Sequence, residues 1–428
     1  MRYSGSQSRP KGTPLSMSLN TRILLGSVAG ILLGWLFSAP EPNALSHYGL
    51  LTLGVISTVF VGLLKMVMVP LVFTSIVVGV AQLQAHHSMR RVWLTALLFF
   101  TLTATLAVML GISAMHWFAP ASDLKLDMFQ DAMAAYKNST SLSPSEFISH
   151  FASSLFVNPV RAMAEGNLMG VLLFALLMGI ALVAGGERYA NIKNLLTELF
   201  DLMMRLLDWI VQLAPFGICA LLAKLVATQN AEVFASLGKF IVVITGTTLF
   251  HGLVVLPLLL WLLTRYSPLT FLRKARPALL TAFATSSSSA TLPITLNCLE
   301  RDMGVRKDIA NFIAPLGAQM NMDGTALYEA GAALFVAQLC GIELNLLQQV
   351  IVCLTAMLVS VGAPGIPSAG MVTMVMVLQS VGLPVEAIAI LLPIDRILDT
   401  TRTAINVEGD LVGSLVVQHF ASNEIIAQ

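Results

Sequence analysis

Charged residues are scarce in this sequence. Of its 428 residues, 24 are Lys or Arg and 23 are Asp or Glu, or 11% of the chain, against about 25% in an average soluble domain. Hydrophobic residues make up 56%, and the mean hydropathy is +0.81. One water-soluble globule cannot bury so many apolar side chains. The composition excludes a soluble enzyme, a nucleic-acid-binding protein and a disordered protein, and predicts a helical protein with several spans in a lipid bilayer.

Cysteine is also rare. The four cysteines lie in apolar or nearly apolar runs, at Cys219, Cys298, Cys340 and Cys353. A disulfide framework needs cysteines in hydrophilic loops, so we expect four buried thiols. The sequence has no G-x-S-x-G elbow, and its few histidines lie in no known motif. We therefore expect no enzymatic activity.

Long apolar runs predict membrane-spanning helices, since a span requires about 20 apolar residues. The first six predicted helices cover about 20–38, 49–83, 91–117, 151–185, 189–227 and 231–264. Asn158, Pro159 and Gly166 interrupt the fourth. No small-residue cleavage site and soluble domain follow the first run, so we expect a retained helix and not a cleaved signal peptide. The short loops and termini favour the inner membrane of a bacterium.

Beyond residue 265 the apolar segments have polar centres. They cover about 268–299, 309–340, 346–381 and 384–418. Basic residues cluster in every second loop, which places those loops and the N-terminus in the cytoplasm. This distribution of basic residues places both ends of 268–299 on one side of the membrane and both ends of 346–381 on the other. We therefore predict two re-entrant helical hairpins and an inverted repeat, with the binding site near the middle of the membrane.

The last predicted helix carries a stripe of polar residues. Asp395, Asp399, Arg402, Asn406 and Asp410 are spaced by 4, 3, 4 and 4 positions, so they lie within about 80° of one helix face. Ionisable groups at membrane depth are costly and are functional candidates. A fixed cation among carboxylates and an amide suits an anionic or zwitterionic ligand together with small cations. The alternative is a set of buried ion pairs that lock helices together.

A second polar group interrupts the segment at 309–340. Asn321, Asp323 and Gly324 disfavour a helix interior, so we expect an unwound turn that exposes backbone carbonyls. Hard oxygen ligands of this kind suit Na⁺, and a plain hinge is the alternative. Glu329 lies four residues after Thr325. It is predicted to carry a proton at neutral pH, or else to be ionised and paired with a buried arginine.

The centres of the two predicted hairpins differ in composition. The first contains Ser286 to Ser289, which offer hydroxyls and helix N-terminal N–H groups to a carboxylate. A nucleophilic serine is the alternative, but it lacks the motif of a hydrolase. The second contains a Gly- and Pro-rich run at 362–370. We predict a flexible lid with free carbonyls there, and a simple loop is the alternative.

The polar motifs from Ser287 onwards resemble a known family. Ser287–Ser289, Asn321–Thr325, the Gly/Pro run and Asp395–Asp410 occur in the order seen in the dicarboxylate/amino acid:cation symporters, which include archaeal aspartate transporters and animal excitatory amino acid transporters. The resemblance covers nearly the whole chain. It implies an all-α membrane fold of eight transmembrane helices and two re-entrant hairpins, a homotrimer and an elevator mechanism.

The resemblance also implies a division into domains. The cytoplasmic N-terminus would be 1–19. A static scaffold would comprise 20–84 and 119–229. The moving transport domain would comprise 85–118 and 230–428.

Residue roles follow from the same resemblance. Arg402 would bind the substrate's side-chain carboxylate, Asp399 its ammonium and Asn406 its α-carboxylate. Six further residues would complete the pocket: Thr325, Thr403, Ser287, Ser288, Ile366 and Gly370. The first sodium would bind Gly317, Asn321, Asn406 and Asp410. The second would bind Gln319, Ser360, Val361 and Ala363, and the third Asp323, Asn321, Thr103 and Phe100. Glu329 would carry a proton, and Ala104 stands where many relatives have a hydroxyl ligand for the third sodium.

These observations predict a secondary-active symporter that imports L-glutamate or L-aspartate with Na⁺, with H⁺ as a further coupled ion. A C4-dicarboxylate:cation symporter of the same family is the alternative, although dicarboxylate members lack the acid at the position of Asp399. Arg402 argues against neutral substrates, which would leave a buried cation unpaired. An anion channel is the alternative from a different class.

Overall fold

A computed structural model of the chain describes residues 19–38, 44–82, 90–121, 149, 152–153, 155–228, 231–361 and 369–425. Every regular element in these residues is helical, which confirms the all-α class. The helices before residue 229 are α1 (Leu19–Phe37), α2 (Ala44–Gln82), α3 (Arg90–Phe118), α4 (Pro159–Glu165), α5 (Leu168–Gly185), α6 (Ala190–Gln212) and α7 (Ala214–Thr228). Those after it are α8 (Ala231–Phe250), α9 (Leu256–Thr264), α10 (Pro268–Thr285), α11 (Ser288–Asn297), α12 (Lys307–Met320), α13 (Asp323–Leu339), α14 (Leu346–Val361), α15 (Ala369–Ser380) and α16 (Ile388–Ile425).

Four helical stretches among the described residues are long and apolar enough to cross a membrane. They are Ser46–Ala81, Arg91–Phe118, Leu168–Gln212 and Glu232–Thr264. Shorter apolar helices cover Thr21–Phe37, Ala214–Thr228 and Leu346–Ser360. The total of eight transmembrane helices and the re-entry of two hairpins stay predictions.

The fourth and fifth predicted helices are each divided into two α-helices. The segment at 151–185, whose interruption was predicted, contains α4 and α5. Asn158 caps α4 by accepting hydrogen bonds from the N–H groups of Val160 and Arg161 at 2.9 and 3.2 Å, and Gly166 ends it with φ of 69°. The segment at 189–227 contains α6 and α7, which are separated at Leu213. Pro215 has no N–H to donate to the preceding turn, which explains the break.

The contacts within the chain divide it into two compact units. The smaller contains the described residues up to Val61 together with Asp208–Thr228, and the larger contains Gly62–Leu207 and the described residues after 229. In the smaller unit α1 packs along α7 through Gly26, Gly30 and Gly34. A Cβ at Gly30 would lie only 2.5 Å from the carbonyl oxygen of Cys219. The division into scaffold and transport domain stays a prediction.

In the larger unit, the long helix α16 packs against α3, α8, α10, α11, α12, α13 and α15. Helix α13 is the most deeply enclosed, since every residue in it except Gln338 is buried. The predicted hairpin segments form helix pairs: α10 packs on α11, and α14 packs on α15. Polar side chains on α13 and α16 therefore face other helices and need partners there.

Candidate functional site

The polar stripe of α16 is buried along its whole length. Asp395, Asp399, Arg402, Asn406 and Asp410 are each at most 3% exposed. The stripe faces the first turns of α13 and α15, which both pack against α16. A row of ionisable groups enclosed in this way requires internal partners.

Arg402 is at the centre of the stripe and has two carboxylate partners. Its Nε and Nη2 lie 3.2 and 2.6 Å from Oδ1 of Asp399, and its Nη1 lies 3.1 Å from Oδ1 of Asp395. The guanidinium carbon lies 4.6 Å from the ring centroid of Tyr328, within range of a cation–π interaction. Both acids are on the same helix as Arg402, so these ion pairs do not lock helices together.

The charges around Arg402 are balanced within the chain. Nη1 of Arg396 lies 3.3 Å from Oδ2 of Asp399, so two arginines face two carboxylates. One of the four carboxylate oxygens, Oδ2 of Asp395, is buried without a hydrogen-bond partner. Because Arg402 is already neutralised, a neutral ligand would not leave an unpaired cation. The charge of Arg402 therefore does not exclude a neutral substrate.

Two glycines let neighbouring helices reach the backbone and guanidinium of Arg402. A Cβ at Gly370, in the first turn of α15, would lie 2.8 Å from Nη1 of Arg402. A Cβ at Gly324, in the first turn of α13, would lie 2.5 Å from the carbonyl oxygen of Arg402. A larger residue at Gly324 would push α13 away from the backbone of α16, and one at Gly370 would displace either α15 or the Arg402 guanidinium.

The predicted break at Asn321 separates α12 from α13. Asn406 closes the break from the side of α16: its Oδ1 accepts a hydrogen bond of 2.8 Å from the N–H of Gly324. Its Nδ2 lies 3.1 Å from Oγ1 of Thr325 and 3.2 Å from the sulfur of Met322. Asn406 and Thr325, both predicted pocket residues, are thus in contact.

The residues of the predicted first sodium site come together below this contact. Nδ2 of Asn321 lies 3.1 Å from Oδ1 of Asp410 and 3.1 Å from the carbonyl oxygen of Asn406. Gly317 lies against the Asp410 carboxylate with no room for a Cβ. Oδ1 of Asn321 is buried and has no hydrogen-bond partner. An amide oxygen, a carboxylate and a carbonyl in one buried place match the ligands that a hard cation prefers.

Three of the four residues predicted for the third sodium are also brought together. Oγ1 of Thr103 lies 3.1 Å from Oδ1 of Asp323 and 3.2 Å from the carbonyl oxygen of Phe100. The other carboxylate oxygen of Asp323 lies 3.2 Å from Nε2 of His251. His251 is fully buried and belongs to a π-helical turn, His251–Val255, between α8 and α9.

The model of the sodium:dicarboxylate symporter family matches residues 19–420. The chain belongs to this family.

Its similarity to individual family proteins extends over most of their length. It is 37% identical to the neutral amino acid transporter B(0) of Oryctolagus cuniculus, over 92% of this chain and 78% of that protein. It is 34% identical to the putative sodium-dependent excitatory amino acid transporter glt-4 of Caenorhabditis elegans, over 94% and 89% of the two chains. It is 32% identical to excitatory amino acid transporter 3 of Mus musculus, over 95% and 87%. The predicted family is confirmed, and the family makes the chain an integral membrane protein and a transporter.

In this symporter-family chain, the serine-rich segment forms the turn between α10 and α11. Ser286 has a left-handed backbone with φ of 51°, and its buried Oγ has no hydrogen-bond partner. Ser287 caps α11, since its Oγ accepts a 3.1 Å hydrogen bond from the N–H of Ala290. Ser287 and Ser288 are both buried, as is Thr403 on α16, and α11 packs against α16. The roles of these three residues in the substrate pocket stay predictions.

Only three of the four residues of the predicted second sodium site, Gln319, Ser360 and Val361, are among the described residues. Ser360 is buried, and its hydroxyl bonds to the carbonyl oxygen of Met357 at 2.9 Å. Gln319 is half-buried, and Val361 ends α14. Ala363 and the predicted pocket residue Ile366 lie outside the described residues.

Glu329 is fully buried on α13. Its Oε1 is hydrogen bonded to the hydroxyl of Thr373 on α15, and its Oε2 has no hydrogen-bond partner. Among the described residues Arg402 pairs with Asp395 and Asp399, and the role of Glu329 as proton carrier stays a prediction.

Three residues of this region were not predicted from the sequence. His251 and Thr373 are isolated polar residues in apolar runs, and that isolation is the only signal that the sequence offered. Glu408 lies on α16, is 1% exposed and has a buried Oε1 without a partner. Its carboxylate packs against Gly252 in the π-helical turn.

Proposed function

We propose that this chain is a secondary-active symporter that carries L-glutamate or L-aspartate together with Na⁺ across its membrane. One observation carries the proposal: a buried Asp399–Arg402 pair lies one helical turn from a group in which Nδ2 of Asn321 contacts the Asn406 carbonyl oxygen and Oδ1 of Asp410. Two of the relatives are excitatory amino acid transporters by name, which supports an acidic amino acid as the substrate.

The Asp399–Arg402 pair can exchange partners with a zwitterion. A substrate ammonium replaces Arg402 beside Asp399, and a substrate carboxylate replaces Asp399 beside Arg402. Each buried charge keeps an opposite charge during the exchange, which avoids the large cost of an unpaired ion in a low-dielectric site. Asn406 then offers its Nδ2 to the second carboxylate. An acidic amino acid supplies all three of these groups.

Sodium binding beside this pocket would stabilise the same arrangement of helices. A cation held by Asp410 and the Asn406 carbonyl would take the place of the Asn321 N–H donors there. If the amide turns over, its unpaired Oδ1 becomes a third ligand, and the site then requires α12 and α16 to stay in contact. Asn406 belongs to both groups, because its carbonyl faces Asn321 and its side chain faces Thr325. Binding of one ligand therefore favours binding of the other, which is the basis of symport.

The remaining features of the proposal rest on the family resemblance. They are an elevator movement of the transport domain, a homotrimer, and co-transport of H⁺ through Glu329. Helix α13, which carries Glu329, is enclosed almost completely, as an element that moves as part of a rigid body would be. The relatives named above are animal proteins and give no support to the bacterial inner membrane.

A neutral amino acid is the second candidate substrate. It is favoured by the 37% identity to a neutral amino acid transporter and by the two carboxylates that already neutralise Arg402. A C4-dicarboxylate stays a third candidate, but it has no ammonium for Asp399. An anion channel would use the same pocket without concentrating its solute.

Uptake of labelled L-aspartate into proteoliposomes tests the proposal, with and without an inward Na⁺ gradient. Accumulation above the external concentration only with Na⁺ is the expected result, and it excludes a channel. Competition by unlabelled L-glutamate, L-alanine and succinate then ranks the three substrate classes. Equilibration without accumulation would refute the symporter.

A further inference from the structure

The first turn of α15 is tied to α13 by the side chain of Thr373. Its hydroxyl is hydrogen bonded to Oε1 of Glu329 and lies 3.1 Å from the carbonyl oxygen of Gly370. Thr373 is 2% exposed and Glu329 is fully buried. Gly370, one turn before Thr373, is the residue whose Cα faces the Arg402 guanidinium. The contact therefore sets how closely α15 approaches the proposed substrate site.

The hydrogen bonds that Thr373 makes to Glu329 and to Gly370 depend on the proton of Glu329. A threonine hydroxyl has one hydrogen. If it donates to an ionised Glu329, it cannot also donate to Gly370, and Oε2 remains a buried charged oxygen without a partner. If Glu329 carries a proton, it donates to Thr373, and Thr373 donates to Gly370. Only a neutral oxygen is then unbonded, which is far less costly than a charged one.

The charged groups that face Glu329 favour a different contact when it is ionised. They are Arg402 and Asp395, both on α16, while Tyr328 is its neighbour on α13. An ionised Glu329 is attracted to Arg402, which competes with its bond to Thr373. Asp395 opposes this attraction, and of the two groups Arg402 has the larger influence on Glu329.

We propose that Thr373 is a positioning residue that makes the placement of the first turn of α15 depend on the proton at Glu329. With the proton present, successive hydrogen bonds from Glu329 to Thr373 and from Thr373 to Gly370 hold this turn beside Arg402. Without the proton Thr373 cannot make both hydrogen bonds, and the turn is no longer held. The inference rests on the proposed function in one respect, since it assigns a pH dependence to the substrate site of that symporter.

Hydrogen–deuterium exchange tests the inference without transport. Peptides that cover 369–380 would be followed at pH 6 and pH 8 in the purified full-length protein, with exchange corrected for the intrinsic effect of pH. We expect exchange in the wild type to be slower at pH 6 by about two- to tenfold, the effect of one neutral hydrogen bond. Thr373→Val should remove this difference, and Thr373→Ser should keep it.

Two further variants control the experiment. Thr74→Val is the matched control, because Thr74 is a buried threonine on α2 whose hydroxyl bonds to the Pro70 carbonyl at 2.8 Å, and it should leave the pH dependence intact. Glu329→Gln supplies a permanent donor to Thr373, so exchange should be slow at both pH values. This variant still decides the question if Thr373→Val does not fold. A wild-type pH dependence in either Thr373→Val or Glu329→Gln would overturn the inference.

Uptake measurements separate this inference from the proposed function. The apparent affinity for aspartate should vary with pH in the wild type and in Thr373→Ser, and much less in Thr373→Val. If the wild type does not accumulate aspartate with Na⁺, the proposed function fails, while the exchange data still decide the role of Thr373. If the wild type transports and Thr373→Val keeps the full pH dependence, the positioning role is wrong.

Discussion

The replacement Asp399→Asn distinguishes two roles of Asp399, which are to bind the substrate ammonium and to pair with Arg402. It removes one negative charge and leaves the shape of the side chain. In the structure Oδ1 of Asp399 lies 3.2 and 2.6 Å from two nitrogens of Arg402, and Oδ2 lies 3.3 Å from Arg396. We propose a second role for Asp399, which is to bind the ammonium of an amino acid substrate.

The expected effect follows from these contacts. A hydrogen bond to a charged group contributes about 1.5–3 kcal/mol, and each 1.4 kcal/mol is tenfold in affinity. The affinity for aspartate should therefore fall about 10- to 100-fold, whereas the affinity for succinate, which has no ammonium, should not fall. Arg402 keeps Asp395 at 3.1 Å, so the protein should lose less stability than the roughly 3–5 kcal/mol of a buried charge left without any partner.

The assay is inhibition of labelled-substrate uptake in proteoliposomes, with Asp395→Asn as the matched control. Asp395 pairs with the same arginine but has no proposed contact with the ammonium. It should therefore change the affinities for aspartate and succinate by a similar factor, smaller than the loss of aspartate affinity in Asp399→Asn. Our reasoning is refuted if Asp399→Asn weakens both ligands equally, or if the two variants have the same effect on aspartate.

Three further replacements test the other assignments in the same assay. Arg402→Cys should abolish aspartate uptake and admit neutral amino acids, and an unchanged aspartate affinity would remove Arg402 from the pocket. Asp410→Asn should raise the Na⁺ concentration for half-maximal uptake by about tenfold or more, the loss of roughly 1.4 kcal/mol of binding; an unaltered sodium curve would mean that Asp410 is not a ligand. Glu329→Gln should make net uptake insensitive to pH while exchange of internal for external substrate continues, and persistent co-transport of protons would require another carrier.

The polar stripe was predictable because it obeys helical spacing. Asp395 to Asp410 repeat every three or four residues, and this spacing alone places them on one face of α16. The break at Asn321 was predictable for a similar reason, because Asn, Asp and Gly are poor helix formers in an otherwise apolar run. The structure has the break at that place, between Met320 and Asp323.

The partners of these residues were not predictable. Oδ2 of Asp323 contacts His251, 72 positions earlier, and Glu329 contacts Thr373, 44 positions later. Neither pair has a local pattern, since each depends on the packing of α13 against two other helices. The division of the fifth predicted helix at Leu213 was missed because its apolar pattern continues through Pro215, and only the missing N–H interrupts the hydrogen bonding.

The close contact of α1 with α7 has a consequence for the synthesis of the protein. The glycines of α1 fit against the backbone of a helix that begins at Ala214, about 180 residues after α1 ends. At a translation rate of about 5–20 residues per second, α1 leaves the ribosome roughly 10–35 s before its partner exists. On the predicted topology α1 is inserted during that interval with its glycine face against lipid, which its apolar sequence allows. The pair then assembles inside the bilayer, where contact between small residues replaces the hydrophobic effect as the driving force.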